Sequence, residues 1–142
     1  MGKKEKTRVV LDTNIIISAL LFRGSLSEII QWWKTNKLTP LISRETFDEL
    51  TRTLSYPKFS LTEEEIKSII AEEILPYFEI TKIKKKTKIE CRDSDDAKFI
   101  QCAISGKAKF VISGDKDLCS MGSWGSIQIV SWADFLKITT ME

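Results

Sequence analysis

The sequence predicts an α/β fold in which helices cover a parallel β-sheet of about five strands. Short apolar segments have the length of strands, and longer segments repeat apolar residues at helical spacing. The two kinds of segment alternate along the chain, which is typical of a parallel sheet with helical crossovers. The 142 residues are the length of one domain, 1–142, with a core over about 8–136.

The order of elements follows from these patterns and from residues that start or stop helices. The predicted strands are 9–11, 38–42, 78–83, 110–112 and 127–130. The predicted helices are 14–22, 25 to about 36, 44 to about 54, 63–74, 95–105 and 132–136. Ser25 with Glu28, and Thr62 with Glu65, have the spacing of capping boxes. Residues 113–125 are predicted to form a loop with a short helix.

Composition excludes several classes of protein. Apolar residues make up 42% and charged residues 30%, and the net charge is only +2, so the chain is neither disordered nor strongly basic. The longest apolar run, 15–22, is too short to cross a membrane, and no membrane partner is expected. There is no histidine, which excludes Ser-His-Asp sites, Cys-His sites and HExxH metal sites.

The cysteines and the N-terminal segment favour a cytoplasmic protein. Cys91, Cys102 and Cys119 are odd in number and lack a CxxC spacing, so reduced thiols are expected. The charged N-terminal segment leads directly into the first strand without the apolar stretch of a signal peptide. The adjacent Trp32 and Trp33 point about 100° apart on a helix. One of them is expected in the core, while the other could lie at a homodimer or partner surface.

Carboxylates follow two of the predicted strands. Asp12 follows 9–11, and Asp115, with Asp117 two residues later, follows 110–112. Ligands of parallel sheets bind beyond the carboxyl ends of the strands, so these positions are candidates for a site. Aspartate is also favoured at helix caps and in turns, and either role would explain each residue taken alone.

Asp96 is harder to explain as a surface residue. At about 100° per residue it falls within the apolar stripe of Phe99, Ile100 and Ala103. An ionised carboxylate on a buried face is costly unless it is paired or binds a cation. Three converging carboxylates would repel one another, and Mg²⁺ or Mn²⁺ prefers such oxygen ligands. A metal that activates water would supply the chemistry for which the chain has no histidine.

These segments resemble the PIN-domain family of metal-dependent ribonucleases, in its VapC-like branch of toxin-antitoxin toxins. The resemblance runs from about 8 to 136 and rests on the segments 9–14, 43, 49–50, 57–59, 92–99 and 113–118. It implies a three-layer α/β/α sandwich around the parallel sheet. Ser94 stands where the branch usually has proline.

The resemblance also implies which residues form the site. Its four acids, which would be both catalytic and metal-binding, fall on Asp12, Glu49, Asp96 and Asp115. Asp117 matches a further acid that some members use, and Asn14 and Ser113 match polar residues that line the site. Periodicity alone predicts a solvated Glu49, because it lies off the stripe of Phe47, Leu50 and Leu54. Only the resemblance makes Glu49 a site residue.

The densest basic run lies in the predicted loop before Asp96. It comprises Lys82, Lys84, Lys85, Lys86 and Lys88, of which Lys84, Lys85 and Lys86 are candidates to bind RNA phosphates. A solvated loop is the alternative, since most charge runs are solvated.

The sequence leaves three functions open. The first is a Mg²⁺- or Mn²⁺-dependent endoribonuclease that acts as a toxin and is inhibited by a small protein antitoxin. The second is an inert PIN-like module that binds RNA or protein. The third is a phosphatase of the haloacid dehalogenase type, which requires a second acid two residues after Asp12, where this chain has Asn14.

Overall fold

A six-stranded sheet forms the centre of the computed structural model, which describes residues 7–91 and 94–140. The strands are β1 Thr7–Leu11, β2 Leu38–Ile42, β3 Glu79–Ile80, β4 Phe110–Ile112, β5 Ser123–Trp124 and β6 Ile127–Val130. Their order is β3-β2-β1-β4-β6-β5, and all neighbours are parallel except β5 and β6. The predicted α/β fold with a parallel sheet is confirmed.

Seven α-helices are described in these residues: α1 Thr13–Leu21, α2 Glu28–Lys34, α3 Arg44–Leu54, α4 Glu63–Ile69, α5 Ala97–Ser105, α6 Lys116–Cys119 and α7 Trp132–Thr140. Three 3₁₀ turns lie at Ser25–Ser27, Pro57–Phe59 and Ser94–Asp96, and a π-helical turn at Ile70–Ile74 extends α4. The capping box at Thr62 and Glu65 is confirmed. The one predicted at Ser25 is wrong, because a 3₁₀ turn precedes α2 and Ser27 donates to the Gly24 carbonyl.

The strand count and one strand length also differ from the prediction. The predicted strand 78–83 is reduced to Glu79–Ile80, because β2 ends at Ile42 and the chain beyond Thr81 has no strand to pair with. The unpredicted β5 is a two-residue strand that turns back onto β6 through Gly125, whose φ of 59° suits a tight hairpin. Two residues are too few to show an alternating pattern in the sequence.

Helices cover both faces of the sheet, which gives the expected three layers. Val9 and Leu11 point into one core, which is filled largely by α1, α2, α3 and α7. Val10, between them, points into the other core, which is filled by α5 and by Leu118 of α6. Successive side chains of β1 thus pack into the cores on opposite faces of the sheet. The strand is buried on both sides, as a central parallel strand should be.

The aromatic residues of the first core resolve the question of the tryptophans. Trp33 is 1% exposed and packs edge-on against Phe78. Trp32 is half-buried, with its ring centroid 5.4 Å from that of Trp132 and 5.9 Å from that of Phe135. Trp33 is therefore the core residue, and most of Trp32 packs within the chain as well.

No single helix of the described ranges has the length and apolarity to span a membrane. Taken together, Thr13–Leu21 and Ser25–Lys34 satisfy the length and composition, but they are bent by 98° where they join. The three cysteines, all in the described part of the chain, form no disulfide.

Candidate active site

The candidate site lies where β1 and β4 end. These strands are neighbours in the sheet and run parallel, so the residues that follow them meet at one edge. The backbone N–H of Asp12, which follows β1, donates to the carbonyl of Ile112 over 3.0 Å. Ser113 and Asp115 then follow β4 directly. The two strand ends thereby bring together carboxylates that are about a hundred residues apart in sequence.

Asp12 is a buried carboxylate with two internal hydrogen-bond partners. The residue is 6% exposed, and its Oδ1 accepts a 2.9 Å hydrogen bond from the backbone N–H of Ile15, which caps α1. Oδ2 accepts from the hydroxyl of Ser113. Burial raises the pKa of Asp12, and the nearby carboxylates of Asp115 and Glu49 raise it further, while these hydrogen bonds lower it. Asp12 therefore serves as a helix cap and also faces other acids.

Ser113 connects the two aspartates. It is completely buried, and its Oγ accepts a 2.9 Å hydrogen bond from the Asp115 backbone N–H while it donates to Asp12. The carboxylate of Asp115 in turn accepts from the Asp117 N–H over 2.8 Å and caps α6. Asp115 is exposed and Asp117 is half-buried, so this side of the site is open to solvent.

Glu49 reaches the site from α3, as the family resemblance implies. Its Oε2 accepts from the hydroxyl of the buried Thr13, and its Oε1 lies 2.7 Å from the ammonium of Lys98 on α5. The Glu49 side chain is only 20% exposed, so the prediction of a solvated residue from periodicity is wrong. The reason is that α3 packs against both α1 and α5. Its polar flank therefore faces other polar groups.

Asp96 is buried, as its place on the helix face predicts. It is 8% exposed and lies in the 3₁₀ turn Ser94–Asp96 that leads into α5. No side-chain hydrogen bond from Asp96 caps this helix. The residue is therefore not explained as a simple N-cap of α5.

The carboxylates fit a hard divalent cation in chemistry but not in their present positions. Carboxylate and hydroxyl oxygens are the donors that Mg²⁺ and Mn²⁺ prefer. Within 7–91 and 94–140, however, no three Asp, Glu or Cys side chains are grouped so that they could hold one ion. Both carboxylate oxygens of Asp12 and of Glu49 are bound by donors of this chain. Binding one ion among three of these acids would require their carboxylates to move closer together.

Two residues of this cluster were not predicted from the sequence, Thr13 and Lys98. Lys98 carried a signal, because a cation in the first turn of a helix opposes the helix dipole and needs a nearby anion. Its side chain is only 13% exposed, which is low for a lysine. Thr13 gave no signal, since a threonine in the first turn of a helix is unremarkable in sequence.

The remaining predicted residues, Asn14 and the three lysines, are exposed and do not gather around one opening. Asn14 is exposed on the first turn of α1. Lys84, Lys85 and Lys86 are all exposed, but they do not form one rim. Lys84 borders a cavity of about 350 Å³ beside the end of α5, whereas Lys86 borders one of about 200 Å³ beside its start. The Lys86 ammonium lies 3.1 Å from the carboxylate of Glu45.

Fold and site together define an α/β protein with a carboxylate cluster at its strand ends. The chain belongs to the PIN domain family, whose sequence model matches residues 8–117. It is similar to the uncharacterized protein MJ1680 of Methanocaldococcus jannaschii, with 34% identity over 123 residues, 84% of this chain and 77% of that protein. The resemblance to PIN domains predicted from the sequence is confirmed.

Solved structures give the same fold at low sequence identity. VapBC2 from Rickettsia felis, bound to a DNA fragment from its promoter, superposes with a TM-score of 0.59 at 16% identity, over 89% of this chain and 99% of that chain. The PIN domain endonuclease Utp24 has a TM-score of 0.53 at 22% identity, over 87% and 84%. FitAcB from Neisseria gonorrhoeae has a TM-score of 0.52 at 16% identity, over 77% and 88%. PIN domains are generally nucleases, and PIN nucleases use divalent metal ions.

Proposed function

We propose that this protein is an endoribonuclease that hydrolyses RNA phosphodiester bonds with Mg²⁺ or Mn²⁺ as its cofactor. The observation that carries the proposal is the buried Asp12 at the end of β1. Its pKa is raised by burial and by the carboxylates of Asp115 and Glu49. Acids that destabilise one another at a strand-end crevice are typical of functional sites, and a cation would relieve their repulsion.

Each residue of the site has a role in this proposal. The acids hold the cation and are the catalytic residues: Asp12, Glu49, Asp96 and Asp115, with Asp117 as a further ligand. When bound, the cation supplies an activated water and neutralises charge on the phosphate. Ser113 positions Asp12 through its hydroxyl and the backbone of Asp115 through its oxygen.

The substrate is proposed to approach from the open side of the site. Asn14 is exposed on the first turn of α1, directly after Asp12 and Thr13, and can donate and accept hydrogen bonds. The ammonium groups of Lys84, Lys85 and Lys86 would neutralise phosphates of the RNA backbone. Of the three, Lys86 has the clearest connection to the site. It lines the same cavity as Lys98, which pairs with Glu49.

We also propose a small protein antitoxin as a partner and the cytoplasm as the location. The antitoxin is supported by the resemblance to VapC-like sequences and by the fold shared with VapBC2 and FitAcB. Three cysteines without a disulfide agree with a reducing compartment.

The direct test is cleavage of a defined single-stranded RNA with Mg²⁺, with Mn²⁺ and with a chelator. We expect cleavage only with metal, none by Asp12→Asn, and normal cleavage by Asp48→Asn. Asp48→Asn is a matched control because it makes the same chemical change on an exposed aspartate. The Asp48 carboxylate lies 4.0 Å from the side chain of Arg44. Cleavage that survives in Asp12→Asn, or that is confined to DNA of the same sequence, would refute the proposal.

Asp96 is tested separately by thermal unfolding. A cation that binds the native state raises the melting temperature. The rise with Mn²⁺ should be smaller in Asp96→Asn than in the wild type. Equal rises in the two proteins would leave Asp96 a buried residue without a role in metal binding.

The inert binding module is the second candidate, and one observation favours it. The Glu49 carboxylate is already neutralised by Lys98, so that part of the cluster is stable without metal. Calorimetric titration with Mg²⁺ and Mn²⁺ distinguishes the two functions. A protein that binds RNA but neither metal is a binding module, whereas metal binding that disappears in Asp12→Asn supports the nuclease.

A further inference from the structure

The ion pair between Glu49 and Lys98 differs from the other described ion pairs in its burial. The Lys98 side chain is 13% exposed and that of Glu49 is 20% exposed, while the side chains of the other described pairs range from 29% to 94%. Solvent and salt screen such a pair less than an exposed one. The Lys98 ammonium therefore neutralises Glu49 more effectively than a surface lysine would.

Lys98 also stands at an unfavourable position in its own helix. It is the second residue of α5, where the partial positive charge of the helix N-terminus disfavours a cation. The Lys98 ammonium lies over the ring of Phe99, with Nζ 5.9 Å from the ring centroid. The ammonium is thus held by the Glu49 carboxylate and by the aromatic ring against the helix dipole.

The carboxylate that Lys98 holds is one that the proposed function assigns to a metal ion. Lys98 and Thr13 engage both oxygens of Glu49, and the described residues hold no set of three ligands. A lysine ammonium and a divalent cation held on the same carboxylate carry like charges at close range and repel each other. The geometry thereby makes the lysine and the metal alternatives at Glu49.

We propose that Lys98 is an internal counter-cation that competes with the divalent metal for Glu49. This inference rests on the proposed function. In the absence of metal, the ammonium offsets the charge of Glu49 and reduces the repulsion within the acidic cluster. When metal binds, the ammonium leaves Glu49 for the adjoining cavity of about 200 Å³, which Lys98 lines together with Asp95 and Lys86. Lys98 is in this sense a positioning residue for Glu49.

The cavity gives the displaced ammonium a suitable place. The carboxylate of Asp95 lines the same cavity, so an anion is near the new position. The long lysine side chain can change rotamers without backbone movement. Metal binding consequently requires the ion pair between Glu49 and Lys98 to break. The free energy of that pair is lost, so the carboxylates bind the metal more weakly than they would without Lys98.

The test is the affinity for Mn²⁺ alone, measured by calorimetry without nucleic acid, in two variants. Lys98→Met keeps the length of the side chain and removes its charge. We expect it to bind Mn²⁺ about tenfold more tightly than the wild type. It should also have a lower melting temperature without metal, because Glu49 loses its counter-cation. A merely structural lysine would give the opposite result, since loosening the site would weaken metal binding.

Lys109→Met is the matched control. Lys109 is exposed and its Nζ lies 5.7 Å from the centroid of the following ring, Phe110, much as that of Lys98 does from Phe99. The net charge changes by the same amount, but no carboxylate of the site loses its partner. We expect the Mn²⁺ affinity of this variant to stay within about twofold of the wild type.

Lys98→Arg tests the inference even if Lys98→Met does not fold. A guanidinium binds a carboxylate with two parallel hydrogen bonds and competes for it more strongly than an ammonium. The variant should bind Mn²⁺ several-fold more weakly than the wild type. In the background of Glu49→Gln, neither change at Lys98 should alter Mn²⁺ affinity.

The outcomes separate the inference from the proposed function. Unchanged or weaker Mn²⁺ binding by Lys98→Met, or unchanged or tighter binding by Lys98→Arg, would overturn the competition while leaving a metal-dependent nuclease in place. If the wild type and both variants bind neither Mg²⁺ nor Mn²⁺, the proposed function fails, and the competition fails with it.

Discussion

Ser113→Ala is the substitution whose cost can be worked out most directly from the structure. The hydroxyl is completely buried between Asp12 and Asp115. It donates to the Asp12 carboxylate and accepts from the Asp115 backbone N–H at 2.9 Å. Alanine fills nearly the same volume, so packing changes little and the lost hydrogen bonds dominate.

The size of the effect follows from the groups left without a partner. Leaving a buried donor or acceptor unsatisfied costs about 1–3 kcal/mol, and more when the group is charged. Asp115 is exposed, so its N–H can bind water in place of Ser113, and the cost of losing this hydrogen bond is at the low end of that range. The Asp12 oxygen is buried and carries charge, so its share is at the high end. The expected loss at neutral pH is about 3 kcal/mol of unfolding free energy.

The loss should depend on pH, and the pKa of Asp12 fixes the sign. Burial raises this pKa, so between the usual aspartate pKa and the raised value the folded state binds more protons than the unfolded state. Stability due to Asp12 is therefore greatest at low pH and falls as pH rises through the raised pKa. The Ser113 hydrogen bond lowers the pKa of Asp12. Removal of this hydrogen bond should raise that pKa further. The loss of unfolding free energy in Ser113→Ala should therefore be larger at neutral pH than in acid.

The assay is urea unfolding in a chelator, carried out once at neutral pH and once in acid. Ser120→Ala is the control, because its exposed hydroxyl donates to the Asp117 carbonyl and its loss should cost under about 0.5 kcal/mol. A loss in Ser113→Ala below about 1 kcal/mol at neutral pH, or one that is larger in acid, would refute this account of the cluster.

Three further predictions concern the site, the core and the basic run. Without metal at neutral pH, Asp12→Asn should be at least as stable as the wild type by thermal unfolding, since it removes a buried charge facing like charges; a clear loss would mean that its caps outweigh that repulsion. Gly106→Ala should lose about 1–3 kcal/mol in urea unfolding, because a Cβ there would overlap Leu41 Cδ1 and lie 3.0 Å from Thr81 Oγ1. A neutral result would show that Leu41 can repack. Changing Lys84, Lys85 and Lys86 to Gln should lower the slope of log RNA affinity against log salt by about 2, since each phosphate contact contributes about 0.7 on single strands. An unchanged slope would identify a solvated loop.

Most of the sheet could be predicted because its central strands are buried on both faces. Val9–Leu11 and Phe110–Ile112 are continuous apolar runs, and they mark the strand ends at which Asp12 and Asp115 lie. The edges were less predictable. β3 and β5 each have two residues. They form strands because they pair with β2 and β6, and not because of any pattern in their own sequence.

The same distinction applies to the site. The burial of Asp96 could be predicted from helical periodicity, because the apolar residues that share its face belong to the same helix. Glu49 and Lys98 could not be paired in this way, since α3 and α5 are brought together only by the fold. The resemblance to PIN domains supplied Glu49 but gave no indication that a lysine binds it.

The shortness of both edge strands limits how copies of this chain can associate. β3 and β5 close the two sides of the sheet with two residues each, and Arg8 binds Glu79 at the β3 edge. An incoming strand would therefore find very few backbone groups to pair with, which protects the native state from edge-to-edge aggregation. We therefore expect a homodimer or partner complex of the described residues to be held by side chains of helices and loops rather than by strand pairing. Its affinity will then be sensitive to single surface substitutions, and it will show no gain in β-structure by circular dichroism.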